Sequence, residues 1–357
     1  MTVVIPVFNE AENVRLLLTK LDAALTGIRW EAVFVDDDSP DGTAEIVRDV
    51  ARQRADVRVI QRIGRRGLST AVIEGMLSTS SPFLAVIDGD MQHDERVLPD
   101  MLSAVRGGDY DIAVGSRYVE GGGFGDWAES RQTVSKVATM LGTHILKADL
   151  SDPMSGFFLI SREAFTASVR DTSGIGFKIL LDLVASSPRP MRVKEVAYEF
   201  RTRELGESKL DSAAMWEYVT LLLDKWIGHI VPIRFVMFAS VGGLGLVVHL
   251  AILGTLVEAA DTGFVTGQIV ATLSAMIFNY ALNNVFTYRD QRLTGWGLLR
   301  GLFSFILICS VGAAANVGVA AYIYEAPSAW WIAGIAGAMV GAVWNYAVSS
   351  VFTWKKK

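Results

Sequence analysis

The chain has 357 residues, of which 51% are hydrophobic and 20% are charged, and its mean hydropathy is +0.34. Residues 1–231 hold 26 of the 33 Lys and Arg residues and 34 of the 38 Asp and Glu residues, whereas residues 232–357 carry a net charge of +3. The acidic front half argues against nucleic-acid binding, which requires a basic surface. Cys309 is the only cysteine, which excludes a disulfide framework and a cysteine-based zinc cluster.

The amino-terminal residues do not have the composition of a signal peptide, because Asn9 and Glu10 follow the first apolar residues too closely. We therefore expect residues 1–231 to remain in the cytoplasm. This length is sufficient for one large domain with its own hydrophobic core.

Strand-like and helix-like patterns alternate through the first 115 residues. The predicted strands are residues 3–8, 32–36, 57–61, 83–88 and 112–115, and the predicted helices are residues 11–25, 43–54, 68–78 and 95–105. This alternation predicts βαβ units, and therefore a mostly parallel α/β sheet with helices on both faces. In such sheets ligands bind at the carboxyl ends of the strands.

Two carboxylate-rich segments, residues 36–41 and 88–92, follow predicted strands. In the second, Gly89 allows a turn that brings Asp88 and Asp90 toward one cation, and Gln92 adds a neutral oxygen. Hard oxygen ligands in an incomplete cage suit Mg²⁺ or Mn²⁺ completed by a substrate diphosphate. Such a triplet also occurs by chance in solvated loops, but the apolar strand before it favours metal and diphosphate binding.

An amphipathic helical pattern spans residues 211–231. Met215, Val219, Leu222 and Trp226 fall on one face, and Lys225 lies on the polar side. This pattern predicts an interfacial helix lying on a bilayer, with a helix that closes the front domain as the alternative.

Four apolar runs fill the last third of the chain. They are residues 232–257, 264–288, 302–324 and 329–354. Each is long enough to cross about 30 Å of hydrocarbon as a helix. We expect three regions: a catalytic domain over residues 1–210, interfacial helices over 211–231, and a four-helix transmembrane domain over 232–357.

Charge predicts the orientation of these helices. The turns at residues 258–263 and 325–328 contain acidic residues and no Lys or Arg, whereas the basic residues lie on the other side. Those basic residues are Arg234, Arg289, Arg292, Arg300, Lys355, Lys356 and Lys357. Because basic loops stay inside, we expect a multi-pass protein of the cytoplasmic membrane with both termini and the front half in the cytoplasm.

The membrane half contains an internal repeat. Asn279-Tyr280-Ala281 and Val285-Phe286-Thr287-Tyr288 recur 66 residues later as Asn345-Tyr346-Ala347 and Val351-Phe352-Thr353-Trp354. Ser240-Val241-Gly242 recurs as Ser310-Val311-Gly312. The pattern indicates two helical hairpins related by duplication, in which Asn279 and Asn345 form hydrogen bonds between helices rather than substrate contacts.

Several motifs of the front half occur together in one known family. They are Val4-Ile5-Pro6-Val7-Phe8-Asn9-Glu10, Val35-Asp36-Asp37-Asp38-Ser39-Pro40-Asp41-Gly42-Thr43, Asp88-Gly89-Asp90-Met91-Gln92-His93, Gly115-Ser116-Arg117-Tyr118, Asp152-Pro153-Met154-Ser155-Gly156-Phe157-Phe158 and Gly206-Glu207-Ser208-Lys209-Leu210. With these motifs the chain resembles glycosyltransferase family two, and within it the polyprenyl- and dolichol-phosphate mannose synthases. The membrane half is similar to the GtrA-like four-helix family.

The resemblance implies a GT-A fold and an inverting mannosyltransferase that uses GDP-mannose and a polyprenyl monophosphate acceptor. It implies a nucleotide pocket lined by Pro6, Phe8, Glu10, Val35 and Asp37. It places the metal and the donor diphosphate on Asp88, Asp90 and Gln92, around Gly89. It places Arg117, Arg131, Arg203 and Lys209 around the acceptor phosphate and the leaving diphosphate, so that Asp90, Arg117, Arg131 and Arg203 are the expected catalytic residues. Relatives often have Tyr at the position of Phe8, which keeps a ring for stacking.

The chemistry of the residues agrees with this resemblance. A phosphate monoester is already an anion at neutral pH, so the reaction needs charge neutralisation by a cation and by Arg or Lys rather than a strong base. Arg201, outside the family motifs, is expected to be a solvated surface residue.

Three alternatives stay open. In the first alternative the donor is a UDP-sugar such as UDP-glucose, although the Asp-Asp-Asp-Ser-Pro-Asp segment favours mannose. A processive polysaccharide synthase is disfavoured, because the chain has no Gln-x-x-Arg-Trp motif. The last is a lipid-linked sugar flippase, or a membrane anchor with an inactive transferase domain, against which the intact Asp-x-Asp triplet argues. The polyprenol length, the preferred metal and the oligomeric state are not specified by the sequence.

Overall fold

The structure is a computed structural model that describes residues 1–123, 146, 148–174, 176–201, 220–226, 231–259, 263–325 and 330–354. The chain divides into two compact units, Met1–Trp226 and Ile227–Lys357. Each unit is described by itself below.

In the described residues, the first unit is built on a seven-stranded sheet. Its strands are β1 (Thr2–Val7), β2 (Glu31–Asp36), β3 (Val57–Gln61), β4 (Phe83–Val86), β5 (Ile112–Ser116), β6 (Phe158–Ser161) and β7 (Val193–Ala197). Their order is β3-β2-β1-β4-β6-β5-β7. The pairs of β1 with β2 and β4, of β2 with β3, and of β5 with β7 are parallel, whereas β6 runs antiparallel to β4 and β5. The predicted mostly parallel α/β sheet is therefore confirmed.

Helices cover both faces of this sheet. They are α1 (Val14–Ala24), α2 (Thr43–Ala51), α3 (Leu68–Leu77), α4 (Leu98–Arg106), α5 (Arg162–Ser168) and α6 (Ile179–Ala185). Side chains alternate along each strand, so Val3 and Ile5 of β1 join the core beneath α1, α2 and α4. Val4, between them, joins the core beneath α3, α5 and α6. The unit is therefore a three-layer αβα domain.

The first five strands and four helices lie close to the predicted positions. Strand β4 is shorter than predicted, because it ends at Val86 rather than Asp88 and the chain turns away from the sheet there. Strands β6 and β7 were not predicted, since β6 is a four-residue strand that pairs antiparallel within an otherwise parallel sheet.

The strand order reverses between β1 and β4, and the region outside their carboxyl ends is called the crevice below. From β1 the chain builds outward through β2 to β3, and it then returns to place β4 on the other side of β1. The chain leaves the carboxyl end of β1 toward β2 and that of β4 toward β5, so the two connections diverge in opposite directions along the sheet. This is the position where open α/β sheets bind ligands.

Part of the predicted amphipathic segment is described, and it is helical at residues 220–226. Leu221 is buried against the first unit. Lys225, predicted on the polar face, instead forms a 2.6 Å ion pair with the fully buried Asp182. Trp226, predicted on the apolar face, is 71% exposed. Residues 220–226 therefore pack on the first unit through Leu221 and Lys225. Most of the segment lies outside the described residues, and its interfacial placement stays a prediction.

The second unit consists of long apolar helices. They are α7 (Ile233–Gly254), α8 (Phe264–Leu282), α9 (Trp296–Glu325) and α10 (Trp330–Phe352). Among the described residues, three helical stretches are long and apolar enough to cross a membrane: Ile233–Glu258, Phe264–Thr287 and Trp296–Ala315. Helices α7 and α8 end in π-helical turns at Thr255–Ala259 and Asn283–Thr287. The predicted apolar helices are present in this half of the chain.

Helix α9 begins at Trp296, six residues before the predicted start at residue 302. The prediction followed the apolar run, which is interrupted by Arg300. Backbone hydrogen bonds continue past a charged side chain as long as that side chain points outward. The helix therefore extends beyond its apolar part.

Asn284 connects the ends of the helices in this unit. Its amide donates to the Leu293 carbonyl at 3.1 Å, and its Oδ1 accepts from the Leu293 backbone N–H and from the Trp354 indole N–H at 2.9 and 3.1 Å. The expectation for Asn279 and Asn345 was wrong for their carbonyl groups. Both Oδ1 atoms are buried and have no hydrogen-bond partner among the described residues, because each lies against a glycine of the neighbouring helix, which offers no side-chain donor.

Candidate active site

The motifs of the front half that the structure describes meet at one edge of the sheet. Residues 8–10 follow β1, residues 36–41 follow β2 and residues 88–92 follow β4, so all three lie at the carboxyl ends of neighbouring parallel strands. Since β6 is antiparallel, the Asp152–Phe157 segment before it reaches the same edge. Residues distant in sequence are thereby collected around the crevice between β1 and β4.

Asp88 and Asp90 lie on a tight turn directly after β4. Both side chains are partly exposed, and that of Asp88 is 31% exposed. A methyl group at Gly89 would lie 2.8 Å from Cγ1 of Val7, so a glycine lets this turn pack against the end of β1. Met91 has a φ of +66°, which reverses the chain immediately afterwards. The turn therefore presents two carboxylates at the crevice.

Gln92 is held in place from both sides. Its backbone N–H donates to Asp90 Oδ1 at 3.2 Å, and its side-chain amide donates to the Arg201 carbonyl at 3.1 Å. The Arg201 N–H in turn donates to the Gln92 carbonyl at 2.9 Å. With its nitrogen engaged by Arg201, the amide of Gln92 directs Oε1 away from that carbonyl.

Arg201 is not the solvated surface residue that we expected. Its guanidinium forms ion pairs with Asp94 at 2.7 Å and with Glu95 at 2.8 Å. Because β7 is parallel to β5, the residues after it reach the carboxyl edge, where they meet the segment that follows β4. Arg201 therefore ties this segment to the end of β7, a contact that sequence patterns could not show.

The oxygen atoms of Asp88, Asp90 and Gln92 are the kind of donors that Mg²⁺ and Mn²⁺ prefer. In the part of the chain that the structure describes, no group of three or more His, Cys, Asp or Glu side chains is arranged to hold a metal ion. Two carboxylates and an amide are an incomplete set of ligands, which suits a cation whose remaining positions are filled by ligand oxygens. The donor set therefore fits the expected metal without being a complete site by itself.

The predicted nucleotide-binding residues of β1 lie at the crevice. Pro6 is buried in the sheet, and the ring of Phe8 is covered by the Arg66 guanidinium, whose Cζ lies 4.2 Å from the ring centroid. Glu10 is buried and its carboxylate accepts from the Asn13 amide at 2.7 Å. The partly exposed Phe8 ring thus makes a cation–π contact with Arg66.

The two predicted residues of β2 and its loop are engaged within the protein. The side chain of Val35 is fully buried beneath α3, so only its backbone faces the strand end. Asp37 accepts from the Arg62 guanidinium and from the Gly67 N–H, both at 2.7 Å. Asp37 therefore holds the glycine-rich basic loop at residues 62–67 in place.

Arg117 forms a buried ion pair with Asp152. Its Nε and Nη2 donate to the two carboxylate oxygens at 2.7 and 2.8 Å, and the Asp152 side chain is 0% exposed. Burial alone would lower the pKa of Arg117, but the hydrogen bonds to Asp152 outweigh burial and raise it. The guanidinium is therefore charged and neutralised by a partner 35 residues away in sequence.

Sequence reasoning missed Lys178 and His93. The Lys178 ammonium donates to the Met154 carbonyl at 2.9 Å, and burial lowers its pKa to about 8. No pattern distinguishes this lysine, which precedes an ordinary apolar helix. His93, in contrast, directly follows the carboxylate motif, and its position next to Asp90 and Gln92 was a usable signal.

Three predicted cations, Arg131, Arg203 and Lys209, lie outside the described residues. Their proximity to Asp88 and Asp90 stays a prediction.

Two family models match the chain. Residues 2–167 match the model described as Glycosyl transferase family 2, and residues 237–354 match the model described as GtrA/DPMS, transmembrane domain. The first unit therefore has a GT-A-type glycosyltransferase fold, and the second is a transmembrane domain.

Named relatives cover most of the chain. It is 34% identical over 357 residues to a dolichol-phosphate mannosyltransferase of Pyrococcus furiosus, with 99% of both chains covered. It is 34% identical over 235 residues to the Saccharomyces cerevisiae dolichol-phosphate mannosyltransferase, which covers 63% of this chain and 86% of that protein. Among solved structures, glucosyl-3-phosphoglycerate synthase from Mycobacterium tuberculosis in complex with Mg²⁺ and UDP matches with a TM-score of 0.47, at 18% identity, over 63% of this chain and 78% of that one.

These findings define a membrane-bound glycosyltransferase with a family 2 catalytic domain. The chain belongs to the dolichol-phosphate mannosyltransferase family, which consists of hexosyltransferases.

Proposed function

We propose that this chain transfers mannose from GDP-mannose to a polyprenyl monophosphate of the dolichyl type, with inversion at the anomeric carbon. The similarity to the Pyrococcus furiosus enzyme along the whole chain supports this activity. The observation that carries it is the pair of partly exposed carboxylates, Asp88 and Asp90, at the β1–β4 crevice. A lipid acceptor also accounts for the apolar helices of the second unit.

The donor diphosphate binds at the turn after β4. Asp88, Asp90 and Gln92 would hold Mg²⁺ or Mn²⁺, which when bound neutralises negative charge on the leaving diphosphate. Gln92 suits this role because its amide nitrogen is engaged by Arg201. The side-chain oxygen is then left to face the ligand.

The nucleoside binds beside Phe8, with Pro6 and the backbone of Val35 forming the base of the pocket. Asp37 contributes by holding the loop at residues 62–67 through Arg62 and Gly67. Glu10 contributes by fixing the start of α1 through Asn13. The proposed roles of Asp37 and Glu10 are therefore partly those of supports for the pocket.

The acceptor phosphate is itself the nucleophile. Its oxygen forms the new bond to the anomeric carbon as the bond to the GDP oxygen breaks, and the anionic phosphate has no proton that a base must remove. Arg131, Arg203 and Lys209 are proposed to neutralise this phosphate, with charge-assisted hydrogen bonds of about 1.5–3 kcal/mol each. Arg117 is proposed to contribute positive charge at the same edge, within its pair with Asp152.

The catalytic domain is proposed to face the cytoplasm. The basic residues flanking the apolar helices, among them Arg234, Arg289 and Arg300, favour this orientation. Labelling of single cysteines in a Cys309-free background tests it in sealed vesicles. A cysteine at position 261 should react only from the outer side, and reaction only from the cytoplasmic side would overturn the orientation.

The activity is tested by incubating the purified full chain with paired substrates. GDP-mannose and UDP-glucose are each combined with dolichyl phosphate and undecaprenyl phosphate, and the glycolipid is identified by mass spectrometry. We expect mannose transfer from GDP-mannose. Transfer from UDP-glucose alone would change the donor, and no transfer from either donor would overturn the proposed function.

A further inference from the structure

His93 lies directly beneath the first carboxylate of the candidate metal site. It is buried, with 3% of its surface exposed. Its Nδ1 accepts a hydrogen bond from the backbone N–H of Asp88 at 3.2 Å. The imidazole therefore holds the backbone at the point where the chain has left β4.

The other ring nitrogen faces the carboxylate of the same residue. Nε2 of His93 lies 3.8 Å from Oδ2 of Asp88. Because Nδ1 accepts a hydrogen bond from the Asp88 backbone N–H, Nδ1 carries no proton and the ring N–H is on Nε2, the nitrogen that faces Oδ2.

Aromatic neighbours fix the plane of the imidazole. It stacks on Phe157 with a centroid distance of 5.1 Å and an angle of 13° between the planes. Tyr198 and Phe200 meet it edge-on at 5.8 and 5.6 Å. These three rings therefore hinder rotation of the imidazole, which would break its hydrogen bond with Asp88.

Gly156 lies next to both the Asp88 carboxylate and the His93 imidazole. A methyl group there would lie 3.1 Å from Asp88 Oδ2 and 3.5 Å from Cε1 of His93. The carboxylate and the imidazole thus share a close-fitting space that any larger residue at position 156 would disturb.

We propose that His93 is a positioning residue that orients the backbone and the carboxylate of Asp88 for metal binding. The inference rests on the proposed function, in which Asp88 is a metal ligand. Groups that orient metal ligands typically change metal affinity by about 10- to 100-fold when removed. His93 would act through Asp88 and without touching the metal or the substrates.

The test compares His93→Phe with His93→Asn in the full chain. Phenylalanine keeps the ring and its stacking but removes both nitrogens, whereas asparagine supplies an oxygen acceptor near the position of Nδ1. Mn²⁺ affinity is measured by calorimetry and by electron paramagnetic resonance, with and without GDP, alongside the melting temperature and kcat. We expect His93→Phe to weaken Mn²⁺ binding about 10-fold or more. We expect His93→Asn to bind Mn²⁺ within about 3-fold of the parent protein, which is less than the change expected for loss of a positioning group.

Phe165→Leu controls for loss of stability, because Phe165 is fully buried beneath the sheet outside this cluster. It should lower the melting temperature and leave Mn²⁺ affinity unchanged. If His93→Phe does not fold, His93→Gln replaces it, since its amide reaches the Nε2 position and not that of Nδ1. Parent-like Mn²⁺ affinity in the Phe variant, or in its Gln replacement, would overturn the inference.

Asp88→Asn separates this inference from the proposed function. If Asp88→Asn loses Mn²⁺ binding and His93→Phe keeps it, only the positioning role of His93 is rejected. Unchanged Mn²⁺ binding in Asp88→Asn rejects the metal role of Asp88, and the inference with it.

Discussion

Tyr288 and Trp354 stack face to face, with ring centroids 4.1 Å apart and an angle of 5° between the planes. They occupy equivalent positions in the internal repeat, 66 residues apart. Phe238 and Phe305, which are 67 residues apart, also contact each other, with ring centroids 6.3 Å apart. Equivalent residues meet each other only near a symmetry axis, so the two helical hairpins pack around a pseudo-twofold axis that passes between these pairs.

In each hairpin of the repeat, one glycine lies against one asparagine of the neighbouring helix. The Asn279 amide lies against Gly245, and the Asn345 amide lies against Gly312. The equivalent glycines are therefore Gly245 and Gly312, rather than Gly242 and Gly312 as the Ser-Val-Gly match indicated. Close contact between helices at small residues is a general feature of membrane packing.

We expect Gly245→Ala to destabilise the second unit by about 1–3 kcal/mol, because its methyl group would overlap the Asn279 amide. Gly312→Ala should behave alike. Gly242→Ala is the matched control, since a methyl there meets nothing within 4 Å. Thermal unfolding in detergent gives the comparison. Asn279→Ala should rescue Gly245→Ala, and failure to rescue would argue against this contact.

Trp354→Ala should destabilise the protein by about 3–5 kcal/mol. Its side chain is fully buried, stacks on Tyr288 and donates to Asn284. Trp296→Ala should change stability by less than about 0.5 kcal/mol, because Trp296 is mostly exposed. Equal melting temperatures for the two variants would contradict the role assigned to the stacked pair.

Asp90→Ala should lower mannose transfer by about 100- to 1,000-fold, which corresponds to about 2.7–4 kcal/mol of barrier. The reason is loss of countercharge on the leaving diphosphate. Asp49→Ala is the control, since Asp49 is an exposed carboxylate of α2 paired with Arg52. Turnover is measured at saturating donor with added Mg²⁺ or Mn²⁺. Near-parent turnover in Asp90→Ala, or full activity in EDTA, would exclude the metal role.

Arg117→Met and Asp152→Leu should each destabilise the first unit by about 3–5 kcal/mol, because each leaves a buried charge without its partner. The double variant should recover most of this loss. Its melting temperature checks the pair. Its transfer rate then separates two roles of Arg117, since recovery assigns it to positioning and continued loss assigns it to phosphate binding.

Asp111 makes the first unit sensitive to acid. Burial alone would raise the pKa of Asp111, but hydrogen bonds from Arg192 and Arg189 outweigh it and hold the pKa well below its usual range. A carboxylate with a depressed folded-state pKa stabilises the fold in full at pH values above its unfolded pKa of about 3.9. This contribution shrinks below that value and is lost as the pH falls through the folded-state pKa. Its carboxylate also accepts from the backbone N–H of Arg192 at 2.9 Å.

Asp111→Asn should therefore cost about 1–3 kcal/mol at pH 7, and this cost should shrink as the pH falls below about 3.9. Melting temperatures of the full chain from about pH 2 to pH 7 test this trend. Asp49→Asn serves as the exposed control. A stability loss that does not change with pH would show that Asp111 acts through packing rather than through charge.

Local pattern was sufficient for the first five strands, the first four helices and the apolar helices, because each depends on the periodicity of its own side chains. The turn of Asp88, Gly89 and Asp90 was predicted for a similar reason. A glycine between two acidic residues at the end of an apolar strand is a local signal. The repeat was also visible, since duplicated helices keep their motif spacing.

Tertiary structure decided the contacts between residues distant in sequence. Strand β6 is short and pairs against the direction of its neighbours, so no alternation of its own specifies it. Arg117 meets Asp152, and Arg201 meets Asp94, only because strand order brings these segments to one edge of the sheet. His93 acquires its contact with Asp88 from a turn that shortens β4 and from aromatic rings that close around the imidazole. Charge and residue type determine which side chains are able to bind, whereas the order of strands determines which of them meet.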